Sequence, residues 1–251
     1  MDKTKQTKAI KQYMWNPWHG CHRFSEGCMN CYMFSFDAKR GVDSNRVYKT
    51  NAYNLPLQKT REGKYRIVDF SEISVCLTSD FFLEEADQWR EDIWKMIKHR
   101  RNVRFILFTK RVQRIQECLP KDWGDGYDNV VIALTTENQK RVDERLPIFL
   151  NLPIKYRQVL VSPMLEKVDL SAFLQTGQIH SVYCGGENYT NARECNFDWV
   201  VDLSNQCRQY KTNFVFYDTG ENFVKDGKRY FIPHSKGRQQ ASLAGIDYII
   251  Q

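Results

Sequence analysis

The sequence predicts an α/β fold on a parallel sheet of about six to seven strands, either curled into a whole or partial barrel or open and doubly wound. Two observations carry this. Short apolar runs alternate with segments whose apolar residues recur at helical spacing, and no change of composition interrupts the alternation. Parallel neighbours need crossover helices, so strands that alternate with helices belong to one such sheet. The 251 residues suffice for one large domain spanning 1–251, and 42% hydrophobic with 14% aromatic residues is a globular composition.

In chain order, residues 1–12 form a polar arm made basic by Lys3, Lys5, Lys8 and Lys11. A short strand from Tyr13 runs into a cysteine loop, with a helix beginning at Cys28 and continuing through Phe34 and Ala38 to Gly41. Residues 42–70 are weakly patterned. Strands follow at 73–78, 103–108, 130–134, 158–161, 180–183 and 213–217, and helices at 84–99, 110–119, 138–150, 170–174 and 199–210. The C-terminal extension, 221–251, contains Asp226-Gly227 and reads as a hairpin and a short helix.

Cys21, Cys28 and Cys31 lie in one loop, six residues separating the first two and two the last pair. A C-x-x-C pair brings two thiolates to one centre, and a third cysteine nearby closes round it. Three protein thiolates leave a fourth position open on a cubane cluster, whereas a structural zinc would also recruit His19 or His22. The spacing leaves zinc, an iron–sulfur cluster and, third, a disulfide open. The other cysteines read as packing residues, with Cys184 and Cys195 the two that could approach the site.

In a parallel α/β fold the loops after the carboxyl ends of the strands build the site. Those positions are polar here: Thr78, Ser79 and Asp80; Thr109 and Lys110; Thr135, Thr136, Glu137 and Asn138; Ser162; Gly185, Gly186, Glu187 and Asn188; Tyr217 and Asp218. Singly, several have plainer roles, such as Asn138 capping a helix or Gly185-Gly186 serving a tight turn. Together they suit a polar, zwitterionic ligand such as an amino acid joined to a nucleoside.

Net charge is +7, from 37 Lys and Arg against 30 Asp and Glu, which favours a polyanionic partner without requiring one. A second basic cluster, 99–104 with Lys110, Arg111 and Arg114, reads as a solvated face. No apolar run reaches the length of a membrane span, and a thiol-rich chain with no signal peptide is expected in the cytosol. A Gly-rich phosphate loop after the first strand is missing, which disfavours a nucleotide hydrolase or kinase.

With its cysteine loop after the first strand of an α/β fold, the chain resembles the radical S-adenosylmethionine (radical SAM) superfamily. The likeness is stronger to uncharacterised, phage-related members of that kind, through the segments 15–32, Ser79-Asp80-Phe81, 107–111, 134–138 and Gly185-Gly186-Glu187. The six-residue first spacing departs from the usual three. Tyr32 follows the last cysteine instead of preceding it, and Tyr217-Asp218-Thr219 stands where Lys-Gln is common.

The resemblance implies a partial or near-complete (β/α) barrel and a four-iron four-sulfur cluster on Cys21, Cys28 and Cys31. It further implies S-adenosylmethionine on the open iron, cleaved to a 5′-deoxyadenosyl radical that takes hydrogen from a substrate. An external electron donor of flavodoxin or ferredoxin type follows. Cofactor contacts would fall to Thr78, Ser79, Asp80, Thr109, Lys110, Thr135, Thr136, Glu137, Asn138 and Ser162. Gly185, Gly186, Glu187 and Asn188 would face substrate, and Tyr217 and Asp218 would be catalytic. The phage context, the basic excess and the aromatics Trp15, Trp18 and Tyr189 point to a nucleic acid or nucleotide undergoing modification or repair, with a peptide or small metabolite also open. The competing class is a non-catalytic Cys3His zinc module that binds nucleic acid.

Overall fold

The computed structural model describes residues 10–189 and 191–250. Seven parallel strands form the main sheet: Gln12–Trp15, Glu72–Val75, Arg104–Thr109, Val130–Thr135, Tyr156–Val161, Ser181–Gly185 and Asn213–Asp218. Each pairs with the strand before and after it in the chain, so the spatial order is the sequence order. A doubly wound sheet reverses direction at a switch point; this one never does. The sheet curls into a half-barrel whose first and seventh strands do not pair.

Burial explains why these segments are strands. All six residues of Val130–Thr135 are buried, as a central parallel strand covered on both faces requires. Strands nearer the edges alternate, as in Arg104–Thr109, where Phe105, Leu107 and Thr109 point inward. The outer layer is helical: α1 (Tyr32–Arg40), α2 (Asp87–His99), α3 (Ile115–Cys118), α4 (Gln139–Leu150), α5 (Ser171–Leu174) and α6 (Phe197–Gln209). Ile93, Trp94 and Ile97 of α2, and Val142, Leu146 and Phe149 of α4, lie at helical spacing and are buried. A single buried cluster runs from Trp15 to Ala241.

The tail folds as expected, into a hairpin of Asn222–Lys225 and Lys228–Phe231 followed by α7 (His234–Leu243). Tyr248 then pairs with Phe214 on the outer edge of the seventh strand. Among the described residues no helix is long and apolar enough to cross a membrane.

Four local expectations need correction. Residues 1–9 of the predicted arm lie outside the described residues, and its last residue, Gln12, already belongs to the first strand. The helix of the cysteine loop starts at Tyr32, with Cys31 as its N-cap, because a 3-10 turn at Glu26–Cys28 takes up the preceding residues. The second strand stops at Val75, since Cys76 adopts φ 64°, a left-handed conformation that ends extended pairing. Trp15 and Trp18 are completely buried, their indole N–H groups donating to the carbonyls of Ala52 and Asp80, so neither is a rim aromatic.

Candidate functional site: a cysteine loop pinned by three carboxylates

Because all seven strands run the same way, their carboxyl ends share one rim, and the cysteine loop lies across it. Cys28 is buried, Cys21 and Cys31 are partly buried, and all three are free thiols. The Cys21 thiol is pushed up to about 12 by burial first and by Asp80 second; Arg111 opposes this, while Cys28 and Cys31 add as like neighbours. Burial also raises Cys31, against hydrogen bonding from the Met33 amide and the nearby charge of Lys110. The three thiols thus share one partly dry pocket with a lysine beside it. No three His, Cys, Asp or Glu side chains among the described residues converge on an ion-sized point.

What holds the loop there is a set of buried carboxylates at alternate strand ends. Asp80, after the second strand, accepts from Phe82 N–H (2.9 Å) and Thr109 Oγ1 (2.7 Å) with one oxygen. Its other oxygen takes Lys110 N–H (2.9 Å) and Arg111 Nη1 (3.0 Å). Arg111 in turn reaches the His22 carbonyl at 3.1 Å and the Cys21 sulfur at 4.0 Å.

Glu137, after the fourth strand, accepts from Ser25 Oγ and from the Gly27 amide (3.2 Å), and pairs with Arg145 at 2.8 Å. Burial works to raise its pKa, yet Lys110, Arg145 and Ser25 together hold it below the ordinary carboxylate value. A Cβ on Gly27 would sit 3.1 Å from the Glu137 carboxyl carbon, so any larger residue here would push the carboxylate aside by a few tenths of an ångström.

Glu187, after the sixth strand, takes Asn30 Nδ2 (2.9 Å) and both the amide and the guanidinium of Arg193. Arg193 also donates to the Glu26 carbonyl at 3.0 Å. Burial raises Glu187, and Arg193 and Asn30 reverse it to a net lowering. On the rim's outside, Glu26 forms a two-point pair with Arg141 of α4 at 2.8 and 3.0 Å.

These bonds redistribute the residues predicted from sequence. Asp80, Glu137 and Glu187 spend their oxygens on the protein, Thr109 bonds Asp80, and Ser79 donates to the Gly20 carbonyl. Asn138 caps α4, accepting from Arg141 N–H at 2.9 Å, the plainer of its two roles. Gly185 and Gly186 are approached by the protein itself: a Cβ on Gly185 would lie 2.8 Å from the Tyr217 ring, and one on Gly186 would overlap the Thr219 carbonyl. Their side-chain directions are thus taken up by the protein itself. Tyr217 shares a hydrogen bond of 2.5 Å with Ser162, and burial pushes its phenol up to about 12. Asp218 is buried, taking Gly220 N–H at 2.9 Å and Asn188 Nδ2 at 3.3 Å, and so shapes its own turn.

What remains unspent is informative. Thr78 Oγ1, Thr136 Oγ1 and Asn188 Oδ1 are buried with no hydrogen-bond partner, after the second, fourth and sixth strands. Natural proteins leave few such atoms, because each forfeits a hydrogen bond it had in water. Lys110 is half-buried and in no ion pair among the described residues. Thr135 is buried, its carbonyl held by Arg145. Cys184 and Cys195 are fully buried, Cys184 against the Met164 sulfur, and belong to the core.

Sequence reasoning missed Arg111, Arg145 and Arg193. The first stood inside the cluster read as solvated, yet Arg100 and Arg111 are both buried. Histidines 19 and 22 bond Asp37 and Glu85 through Nε2.

No curated protein and no solved structure matches the chain. A family model described as a protein of unknown function, DUF5131, matches residues 7–247. With nearly the whole length and every residue of the rim inside that match, the chain belongs to the DUF5131 family.

Proposed function

We propose that the protein is a radical S-adenosylmethionine enzyme acting on a nucleic acid or nucleotide. The observation that carries this reading is the coincidence of three neighbouring thiols with three unpartnered buried polar atoms on the same rim. Cys21, Cys28 and Cys31 would hold a four-iron four-sulfur cluster, and three thiolates suit a cluster that keeps one iron for a ligand. Such a cluster would supply, from an external one-electron donor, the electron for reductive cleavage of S-adenosylmethionine.

The chain's own residues do the positioning. Arg111, Ser25, Gly27 and Asn30 keep the cysteines in register with the rim before any cofactor arrives. Lys110, beside Cys31 and without an ion pair, would take the carboxylate of S-adenosylmethionine. Thr78 and Thr136 hydroxyls would donate to its polar groups, and Asn188 Oδ1 would accept from its amino group. The Asp80 and Glu137 carboxylates, satisfied by the protein, serve as braces in this reading, and the Tyr217 phenol, paired with Ser162, stays protonated at neutral pH.

Anaerobic purification with iron and sulfide analysis tests the proposal. The expected protein is brown, bleaches in air, and on reduction yields 5′-deoxyadenosine from S-adenosylmethionine. Cys31→Ala should abolish colour and cleavage together. A colourless protein carrying stoichiometric zinc, or cleavage that survives Cys31→Ala, defeats it.

A further inference from the structure

The hairpin of the C-terminal extension presents an exposed aromatic edge beside a run of cations. All four residues of Lys228–Phe231 are exposed, and the strand is at the edge of its small sheet. Phe231 is 81% exposed and Tyr230 45%, two neighbouring rings on one strand open to solvent. Between residues 225 and 238 stand five Lys and Arg against one Asp: Lys225, Lys228, Arg229, Lys236 and Arg238 against Asp226. Arg229 pairs with Glu194 at 3.1 Å, whereas Lys228, Lys236 and Arg238 form no ion pair among the described residues. An exposed ring flanked by unpaired cations suits a ligand with flat faces and a negative backbone.

Register shows which way this surface looks. In an antiparallel pair, residues directly opposite share a face, and Phe231 is opposite Asn222 while Arg229 is opposite Val224. Asn222 donates to the Ala192 carbonyl at 3.1 Å, and the adjacent Asn191 carbonyl takes the Asn30 amide of the cysteine loop at 2.8 Å. The Phe231 face of the hairpin is therefore the one that carries Asn222, which is tied through the 191–192 turn to Asn30 of the cysteine loop. From the same hairpin an aromatic path leads inward: His234 lies 4.7 Å from Tyr189, which lies 4.8 Å from Phe36 and 6.2 Å from Tyr32, the residue after Cys31. Arg238 is near enough to Tyr189 and Tyr217 to favour their phenolates.

We infer that the hairpin and the start of α7 form a docking surface for single-stranded nucleic acid, with Phe231 stacking a base and Arg229, Lys236 and Arg238 following the phosphates toward the cysteine loop. Duplex DNA or RNA keeps its bases stacked on one another and offers Phe231 no free face, so the preference is for an unpaired strand. The inference deepens the proposed function by naming its substrate class, but it concerns binding and does not need the cluster.

Fluorescence anisotropy of a labelled mixed-sequence oligonucleotide, single-stranded and duplex, on the full chain tests it. Single strands should bind more tightly than duplex, and the affinity should fall with salt as neutralised phosphates demand. Phe231→Ala should weaken binding about 5- to 100-fold, the range for removing one base stack. Lys236→Glu with Arg238→Glu should also flatten the salt slope by about 0.7 for each phosphate left without its cation. Lys95→Glu, on the exposed face of α2, should change neither quantity, and Cys31→Ala should bind as the unaltered chain does, which separates this result from the fate of the cofactor proposal. No binding at low salt, or binding that ignores the hairpin and α7 substitutions, overturns the inference and leaves the exposed edge strand for a protein partner.

Discussion

Arg145 donates to Glu137 at 2.8 Å with both side chains buried, and the same carboxylate holds the amide of Gly27 inside the cysteine loop. One ion pair thus connects a helix of the outer layer to the loop that carries the thiols. Replacing Arg145 with Met would leave the buried Glu137 without its ion-pair partner, a loss of about 3 kcal/mol given the donors that remain. Urea unfolding should show that drop, and Glu137→Gln in the same background should recover part of it.

Glu26 predicts how stability follows acidity. Its hydrogen bond to Arg141, the larger cause, holds its pKa at about 2 against an ordinary 4.5. A carboxyl depressed by folding stabilises fully above its unfolded value and ceases to do so as pH falls through its folded value. The unaltered protein should therefore exceed Glu26→Gln in urea midpoint at neutral pH, with the gap closing between about pH 5 and 2. A gap that widens on acidification would contradict the pairing.

Thr136 separates a ligand contact from a structural one. Its buried hydroxyl has no partner, so Thr136→Val should leave the ligand-free protein as stable as before or about 1 kcal/mol more stable. The same change should reduce the thermal shift produced by S-adenosylmethionine on the cluster-loaded protein. An equal shift in both proteins would remove Thr136 from the cofactor site.

Two glycines should respond differently to alanine. Gly41, at φ 66° with open space around it, would lose roughly 1–2 kcal/mol from backbone strain alone. Gly186 would bring a Cβ onto the Thr219 carbonyl, and overpacking against backbone costs about 3 kcal/mol or more. Thermal melts of the two variants, with Gly186→Ala much the lower, check the close approach.

Most of the architecture was legible because it rests on local pattern. Phe105, Leu107 and Thr109 alternate, Val130–Thr135 is apolar almost throughout, and helix caps such as Asn138 sit where their chemistry demands. Seven strands in sequence order are the upper end of the expected number, and their order chose the curled form over the doubly wound one. The site was harder to read. Trp15 and Trp18 stand next to the cysteines in sequence, yet the pleat turns Trp15 inward and tight packing encloses Trp18. Arg111 resembled its exposed neighbours until Asp80 appeared opposite it. Pairings such as Glu187 with Asn30, 157 residues apart, leave no trace in local periodicity.

Those long spans also impose an order of events on the ribosome. Cys21, Cys28 and Cys31 leave the exit tunnel early, but Glu137, Glu187 and Arg193, which hold their loop, are translated more than a hundred residues later. Asp80 and Arg111 can brace the Cys21 end of the loop first, but its full set of contacts is in hand only once Arg193 has been added. The proposed cluster, loaded into a fully braced loop, would therefore have to enter after Arg193 is made and not as the cysteines emerge.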